Sequence, residues 1–176
     1  EDLSGSSDDE LTDMGPYQDE DEWMDLLIGR IMGMTPTAFE KLCARLLREI
    51  GFEKVTVTKQ SNDGGVDGHG QLRTKELFTQ QVAFQSKRYK PENRISSKMV
   101  REFRGSIEGK TTMGVIITTS SFTKEARKEA VRPNARAINL LNGTELCKLL
   151  KDYNIGVNTS LKEHVSIDLE FFDSSN

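Results

Sequence analysis

The apolar side chains of residues 21–51 recur every three or four positions, which is the spacing of helices with one buried face. Within residues 21–33 this spacing predicts a short amphipathic helix. A second, clearer helix follows, because Thr35 is a typical N-cap, Pro36 suits the first helical position and Gly51 supplies a C-terminal stop. The face that this helix is predicted to bury consists of Phe39, Leu42, Cys43, Leu46, Leu47 and Ile50.

After residue 51 the pattern changes to alternation, which is typical of strands. Three successive strands are predicted to form a meander, around Val55, Val57 and Lys59, from Val66 to Leu72, and from Leu77 to Tyr89. The run Met113–Thr119 is continuously apolar or β-branched, as is typical of a strand buried on both faces. Ala137–Leu141 is predicted to be a further buried strand.

Helical spacing returns between and after these runs. One helix is predicted around Val100, Phe103 and Ile107, and a short one from its cap Thr123 to about Val131. Asn142-Gly143 is expected to turn the chain into a last helix, 144–153, and residues 165–172 to add an edge strand or a dimer arm. The order predicts an α/β fold in which helices flank a mixed central sheet.

Charge is divided unevenly along the 176 residues, which carry a net charge of −4. Residues 1–25 hold 11 of the 28 acidic side chains and no Lys or Arg, so the rest of the chain has a net charge of +7. Residues 84–136 alone have a net charge of +8. This basic centre favours contact with a polyanion, with a well-solvated surface as the alternative.

The same composition predicts three parts. Residues 1–20 are acidic and poor in apolar side chains, which is typical of a disordered linker or tail. Residues 21–155 are expected to form the folded domain and residues 156–176 a C-terminal extension. Because the chain does not begin with Met, we expect it to be a piece of a longer protein.

The cysteines and histidines narrow the class of protein. Cys43 and Cys147 lie in apolar helical patterns, as reduced core thiols of an intracellular protein do. With only His69 and His164, a Cys/His zinc site of the usual spacing is excluded. No apolar run is long enough to span a bilayer and no signal-peptide pattern opens the chain, so we expect a cytoplasmic location.

Candidate chemistry lies on the third predicted strand. Gln85 and Lys87 are two residues apart and therefore project from one face. If the second and third strands pair, Asp67 approaches both side chains, and the carbonyl of Ser86 lies between them. Carboxylate, amide and carbonyl oxygens are suitable ligands for Mg²⁺, and the ammonium can orient a water or stabilise charge on a phosphorane.

Several sequence motifs occur together in one order. They are FE at Phe39–Glu40, GFEKVTVT at 51–58, SNDGGVDG at Ser61–Gly68, QSKRY at Gln85–Tyr89, FRG at Phe103–Gly105, GVIITTSSFTKEA at Gly114–Ala126 and INLLNGTEL at Ile138–Leu146. Through these motifs, residues from about 21 to 150 resemble the catalytic module of the Mrr-type restriction endonucleases, a branch of the PD-(D/E)xK nucleases.

The resemblance implies the restriction-endonuclease-like fold and metal-dependent cleavage of DNA. It implies Asp67, Gln85 and Lys87 as the catalytic core, and Glu40 as a helical acid that helps to bind a metal or a water. The expected metal ligands are therefore Asp67, Gln85, Ser86 and Glu40, and the expected ion is Mg²⁺, with Mn²⁺ as the alternative. Gln85 stands where the wider superfamily has an acid, and Val66 where it has a proline, and both are forms that this branch uses.

The resemblance also implies partners. The family often reads methylated DNA through a separate N-terminal winged-helix domain, which we expect to be missing from this chain. Cutting both strands of double-stranded DNA needs two active sites, so a homodimer or larger homo-oligomer is expected. The function predicted is that of a restriction or defence nuclease acting on modified DNA. The alternatives are a structure-specific repair or junction nuclease of the same superfamily and a non-catalytic DNA-binding module.

Further polar residues have two interpretations each. Asp63 is expected to build the glycine turn before Asp67, and His69 to be a surface histidine, each with contact to the site as the alternative. A solvated glutamate near a helix N-terminus is the alternative for Glu40. Arg101 and Arg104 are predicted either to contact phosphates or to be solvated. The predicted DNA contacts are Arg88, Tyr89, Lys90, Arg94, Ser120 and Ser121, with capping of a helix, together with Thr123, as the alternative for the two serines.

Overall fold

Five helices and five strands follow one another along the described part of the chain. The computed structural model describes residues 22–58, 65–74, 78–160, 163 and 166–167. The predictions for residues 1–20, Lys59, Asp63 and His164, and nearly all of that for 165–172, lie outside the described residues. In chain order the elements are α1 Glu22–Met32, α2 Pro36–Ile50, β1 Glu53–Val57, β2 Gly68–Thr74, β3 Phe78–Lys87, α3 Ser97–Ile107, β4 Met113–Thr118, α4 Lys124–Ala130, β5 Ile138–Leu141 and α5 Gly143–Asp152.

The strands form one mixed sheet in the order β1-β2-β3-β4-β5. The first three strands pair antiparallel, as the predicted meander requires, and β3, β4 and β5 pair in parallel. Parallel strands need a crossover, which α3 supplies between β3 and β4, and α4 between β4 and β5. The predicted α/β fold with a mixed sheet flanked by helices is therefore confirmed.

Two hydrophobic cores lie on opposite faces of this sheet. On one face Val82 and Phe84 of β3 pack with α1, α2 and α5, and on the other Ala83 packs with α3 and α4. Strand β4 contributes Val115 and Ile117 to the first core and Ile116 to the second. This confirms the prediction that its continuous apolar run is buried on both faces.

Local capping signals fix both ends of α2 and the first residues of α4 and α5. The Thr35 hydroxyl accepts a hydrogen bond from the Ala38 N–H, and Gly51 ends α2 in the left-handed region at φ 110°. The last helix is confirmed, but it begins at Gly143, one residue earlier than predicted. Asn142 alone connects it to β5, as the N-cap of α5, and forms a capping box with Glu145.

The two cysteines are free and buried, as predicted. Burial raises the pKa of the Cys147 thiol to about 11. Among the residues that the structure describes, no helix combines the length and the apolar character needed to cross a membrane.

Candidate active site

The C-terminal end of β3 carries the predicted catalytic pair. Gln85 and Lys87 share the face of the sheet that Ala83 presents to α3, and Gln85 is only 5% exposed. Asp67 precedes β2, yet its N–H donates to the Phe84 carbonyl at 2.9 Å and its carbonyl accepts from the Thr58 N–H at 2.9 Å. The ladder therefore extends one residue beyond β2 and places Asp67 opposite Gln85.

Ser86 fixes the carboxylate of Asp67. The Ser86 N–H donates to Oδ2 of Asp67 at 2.5 Å, and the Ser86 hydroxyl donates to the same oxygen at 2.8 Å. Hydrogen bonds to a carboxylate are stronger than those between neutral groups, so the side chain is held in one orientation. From the sequence, Ser86 is predicted only as a carbonyl ligand, and this role of its N–H and hydroxyl is not foreseen.

The Gln85 amide is also held. Its Nε2 donates to the carbonyl of Gly65 at 2.5 Å, so the amide oxygen is the end of the side chain that remains as a ligand. Gly65 has φ 87°, a conformation in which glycine is unstrained. The turn before Asp67 therefore orients a side chain on the neighbouring strand.

Glu40 on α2 lies within electrostatic reach of this group. Burial raises the pKa of the half-buried Glu40 carboxyl, the negative charge of Asp67 raises it further, and the positive charge of Lys87 opposes both effects. Cys43, one turn further along α2, is fully buried, and its thiol has a raised pKa because of burial first and of Asp67 and Glu40 next. The structure thus brings Glu40, Asp67, Gln85 and Lys87 together.

The donors of this cluster fit a hard divalent cation. The second oxygen of Asp67, the amide oxygen of Gln85, the carbonyl of Ser86 and the carboxylate of Glu40 are all oxygen ligands, the type that Mg²⁺ prefers. Across the part of the chain described, no three His, Cys, Asp or Glu side chains gather in a way that would hold a metal. Only two of the four proposed ligands are carboxylates, and their assignment stays a prediction.

A cleft opens beside Gln85 and Lys87. It encloses about 630 Å³ between the end of β3 and helix α3, whose Met99, Glu102 and Phe103 line it. From the sequence, Val100, Phe103 and Ile107 of α3 are predicted as apolar positions of a helix, and Met99 and Glu102 are not predicted to line a cleft. Glu102 and Phe103 follow Met99 by three and four residues, so both lie beside Met99 on the helix, and this spacing is the signal that would have found them.

Two of the predicted DNA-binding residues, Arg88 and Ser120, have partners inside the protein. The half-buried Arg88 donates to the carbonyl of Met32 at the end of α1. Ser120 is buried, and its hydroxyl donates to the Pro91 carbonyl at 3.1 Å. Both side chains hold the loop after β3 or β4 to its neighbours, and contact with phosphate stays a prediction for them.

The other predicted DNA contacts are more accessible. Lys90 and Arg94 are exposed, while Tyr89 packs partly against the α3–α4 core. Arg94 donates to the Ser121 hydroxyl at 3.2 Å and to the Phe122 carbonyl at 3.0 Å. The capping alternative holds for Thr123, which accepts from the Ala126 N–H at the start of α4.

His69 lies on β2 opposite Ala83, two residues beyond Asp67 and on the same face of the sheet. The His69 side chain is partly buried, whereas a surface histidine was predicted. A role for it in the site stays a prediction.

A second charged cluster joins α3 to α4. Arg104, only 8% exposed, donates to the Glu129 carboxylate and to the carbonyls of Glu129, Ala130 and Arg136. Arg101 also pairs with Glu129 at 3.5 Å. Arg104 is therefore neither solvated nor free to contact phosphate, and both sequence interpretations of it were wrong.

Comparisons with known proteins agree with this arrangement. Residues 31–150 match the model of the Mrr catalytic domain, described as a restriction endonuclease. The type IV methyl-directed restriction enzyme EcoKMrr of Escherichia coli (strain K12) is 27% identical over 178 residues, which cover 98% of this chain and 57% of that protein. The chain thus spans little more than half the length of this relative.

Two solved structures share the fold at 25% identity. The DNA modification-dependent restriction endonuclease AspBHI superposes with a TM-score of 0.64, covering 81% of this chain and 37% of that one. The restriction endonuclease MspJI, solved in complex with a 27-mer oligonucleotide, superposes with a TM-score of 0.58, covering 73% of this chain and 30% of that one. With its family model, its order of elements and its cluster at the end of β3, the chain belongs to the restriction endonucleases of the Mrr type.

Proposed function

We propose that this chain is the catalytic part of a metal-dependent DNA endonuclease that hydrolyses phosphodiester bonds in modified DNA. The observation that carries the proposal is that the Gln85 amide and the Lys87 ammonium line an open cleft, while the Asp67 carboxylate is held by Ser86, which lies between them on β3. Residues of these types, held by neighbouring groups rather than by one another, form a site prepared for a charged substrate.

Each side chain has a separate role in this proposal. A divalent cation, held by Asp67, Gln85, the Ser86 carbonyl and Glu40, would polarise the phosphodiester and lower the pKa of a water. Lys87 orients the attacking water and stabilises the negative charge that develops on the phosphorane. The oxygen of this water forms a new bond to phosphorus while the bond to one ester oxygen breaks. Asp67 keeps its orientation because Ser86 holds one of its oxygens.

The substrate class is proposed from the relatives. EcoKMrr is described as methyl-directed and AspBHI as DNA modification-dependent. Both are longer than this chain, so we assign the reading of the modification to another part of the full-length protein, such as the expected winged-helix domain. Cutting both strands then requires a second copy of the site, which a homodimer or larger assembly supplies.

Cleavage of methylated and unmethylated plasmid with Mg²⁺ tests the proposal. We expect nicking and linearisation by the parent protein and none by Lys87→Ala or Asp67→Ala. Lys110→Ala is the matched control, because Lys110 is exposed in the turn before β4, at the other end of the parallel strands.

Three other results would reject the proposal or part of it. Equal cleavage by the parent and Lys87→Ala removes the assigned site. Tight, salt-sensitive DNA binding without nicking by any divalent metal indicates a binding module. A strong preference for branched over linear DNA indicates a junction nuclease.

A further inference from the structure

Gln85 is the uncharged side chain among the proposed metal ligands. An amide brings no negative charge, whereas a glutamate of nearly the same shape would bring a full one. By charge alone, glutamate at position 85 should bind Mg²⁺ more tightly. The neighbours of Gln85 give a reason for the amide.

The carbonyl of Gly65 supplies that reason. It accepts a hydrogen bond from Gln85 Nε2 at 2.5 Å, and the Gln85 side chain is almost fully buried. A glutamate lacks the N–H, so one of its oxygens would face the carbonyl oxygen across the same short distance. Two acceptors at this separation, without a proton between them, repel each other.

A side chain at residue 65 would be strained and would displace the Gln85 amide from its present position. Its φ of 87° lies in the left-handed region, and a Cβ built on it would overlap Gln85 Nε2. The same glycine therefore permits the turn and lets its backbone reach the amide. Because the amide nitrogen of Gln85 bonds Gly65, the amide oxygen is the end that points away from Gly65.

We propose that the Gly65 carbonyl is a positioning group that selects glutamine over glutamate at residue 85 by directing the amide oxygen toward the metal position. This inference rests on the proposed function, since it deepens the role of a proposed ligand. It predicts that Gln85→Glu weakens the use of Mg²⁺, whereas the added negative charge alone predicts tighter binding. Groups that orient a ligand from behind commonly change metal affinity or activity by 10- to 100-fold when they are lost.

The first experiment compares the parent protein with Gln85→Glu across a series of Mg²⁺ concentrations. We expect Gln85→Glu to cleave at least about tenfold more slowly and to need at least about tenfold more Mg²⁺ for half of its maximal rate. Cleavage at the parent rate, or half-maximal cleavage at a lower Mg²⁺ concentration, overturns the proposal.

The second experiment uses the metal-free protein and needs no cleavage. NMR of side-chain amides reports whether the Gln85 NH₂ group is hydrogen-bonded. We expect its signal, identified by its absence in Gln85→Glu, to exchange with water more slowly than that of Gln81, an exposed glutamine on the same strand. Equal exchange rates overturn the proposal.

A pair of glycine variants separates contact from backbone strain. Gly65→Ala and Gly109→Ala both place a side chain at positive φ, 87° and 75°, but a Cβ on Gly109 meets nothing within 4 Å. We expect both variants to lose stability and only Gly65→Ala to raise the Mg²⁺ requirement and to change the Gln85 amide signal. An equal change of Mg²⁺ requirement in both variants overturns the proposal.

The two proposals fail separately. If the parent protein cleaves DNA with no divalent metal, the proposed function fails, and the amide measurement on the metal-free protein still decides the role of Gly65. If cleavage depends on Mg²⁺ and Asp67 while Gln85→Glu is fully active, the function stands and the selection by Gly65 fails. Should Gly65→Ala not fold, the exchange of the Gln85 amide in the parent and the Mg²⁺ series of Gln85→Glu decide the question.

Discussion

Two polar clusters of this protein differ in how completely their groups are hydrogen-bonded to other parts of the protein. At the end of β3, Ser86 and Gly65 occupy one atom each of Asp67 and Gln85, so that a carboxylate oxygen and an amide oxygen remain as ligands beside the cleft. Between α3 and α4, the Arg104 guanidinium donates hydrogen bonds to one carboxylate and three carbonyls. Polar groups that are held in place but keep free hydrogen-bonding capacity indicate a functional site. Polar groups whose hydrogen bonds are all made within the protein indicate a structural role.

The pKa shifts separate the two clusters in the same way. Glu129 is partly desolvated, which raises its pKa, but the hydrogen bond from Arg104 and the charges of Arg132, Arg104 and Arg101 outweigh this and lower it. The pKa of Glu40 is raised, by burial and by Asp67. The folded protein therefore favours the ionised form of Glu129 and resists the ionised form of Glu40, which a bound cation would favour.

The largest expected effect concerns the cluster at the end of β3. Lys87→Ala removes the charge proposed to stabilise the phosphorane, and plasmid cleavage should fall by at least about 100-fold. The melting temperature should change little, because Lys87 is partly exposed. Initial nicking rates and thermal denaturation of the same samples measure both quantities. A loss of stability as large as the loss of activity would make Lys87 a structural residue.

The second-largest effect is a loss of stability when the cluster of Arg101, Arg104 and Glu129 between α3 and α4 is disrupted. Arg104→Ala leaves buried acceptors without their donor and should cost about 3–5 kcal/mol, which lowers the melting temperature by roughly 10 °C. Cleavage per folded molecule should be unchanged below the transition. Arg101→Ala, whose side chain is 52% exposed, is the control and should cost less than about 1 kcal/mol. Similar losses in both variants would contradict the comparison.

A third prediction uses the pH dependence of Glu129. Because its folded pKa is lowered, its contribution to stability is present above the unfolded pKa of about 4.3 and is lost as the pH falls through the folded pKa. Glu129→Gln should therefore melt below the parent at pH 7, and the difference should shrink as the pH falls below about 4. Melting curves from pH 7 to pH 3 give this difference. A gap that stays constant over this range would exclude the ionised carboxylate as its source.

The smallest effect is expected for Glu40→Gln, whose melting temperature should rise slightly where that of Glu129→Gln falls. Because the folded pKa of Glu40 is raised, ionisation of this group weakens the metal-free fold as the pH rises above about 4.3. Glu40→Gln should then melt at or slightly above the parent temperature at pH 7 without metal. Mg²⁺ should stabilise the parent more than the variant, since binding stabilises the form that holds it better. A lower melting temperature of the metal-free variant at pH 7 would contradict this.

The family and most of the fold were predictable from the sequence because they depend on local signals. Thr35, Pro36 and Gly51 mark the ends of α2 by their own conformational preferences. Alternation along β3 put Gln85 and Lys87 on one face, and the motif order identified the branch of nucleases. At Asn142-Gly143 the local signal gave the place where the last helix begins to within one residue, because Asn142 is its N-cap and Gly143 its first residue.

The sequence by itself determined which residues could serve the chemistry, and the tertiary structure decided how each is held. Ser86 bonds Asp67 across 19 residues, Gln85 bonds Gly65 across 20, and Arg104 bonds Glu129 across 25. The identity of a polar side chain limits what it can donate or accept. Which partner it finds depends on the register of strands and the packing of helices, and these are settled only when distant segments meet.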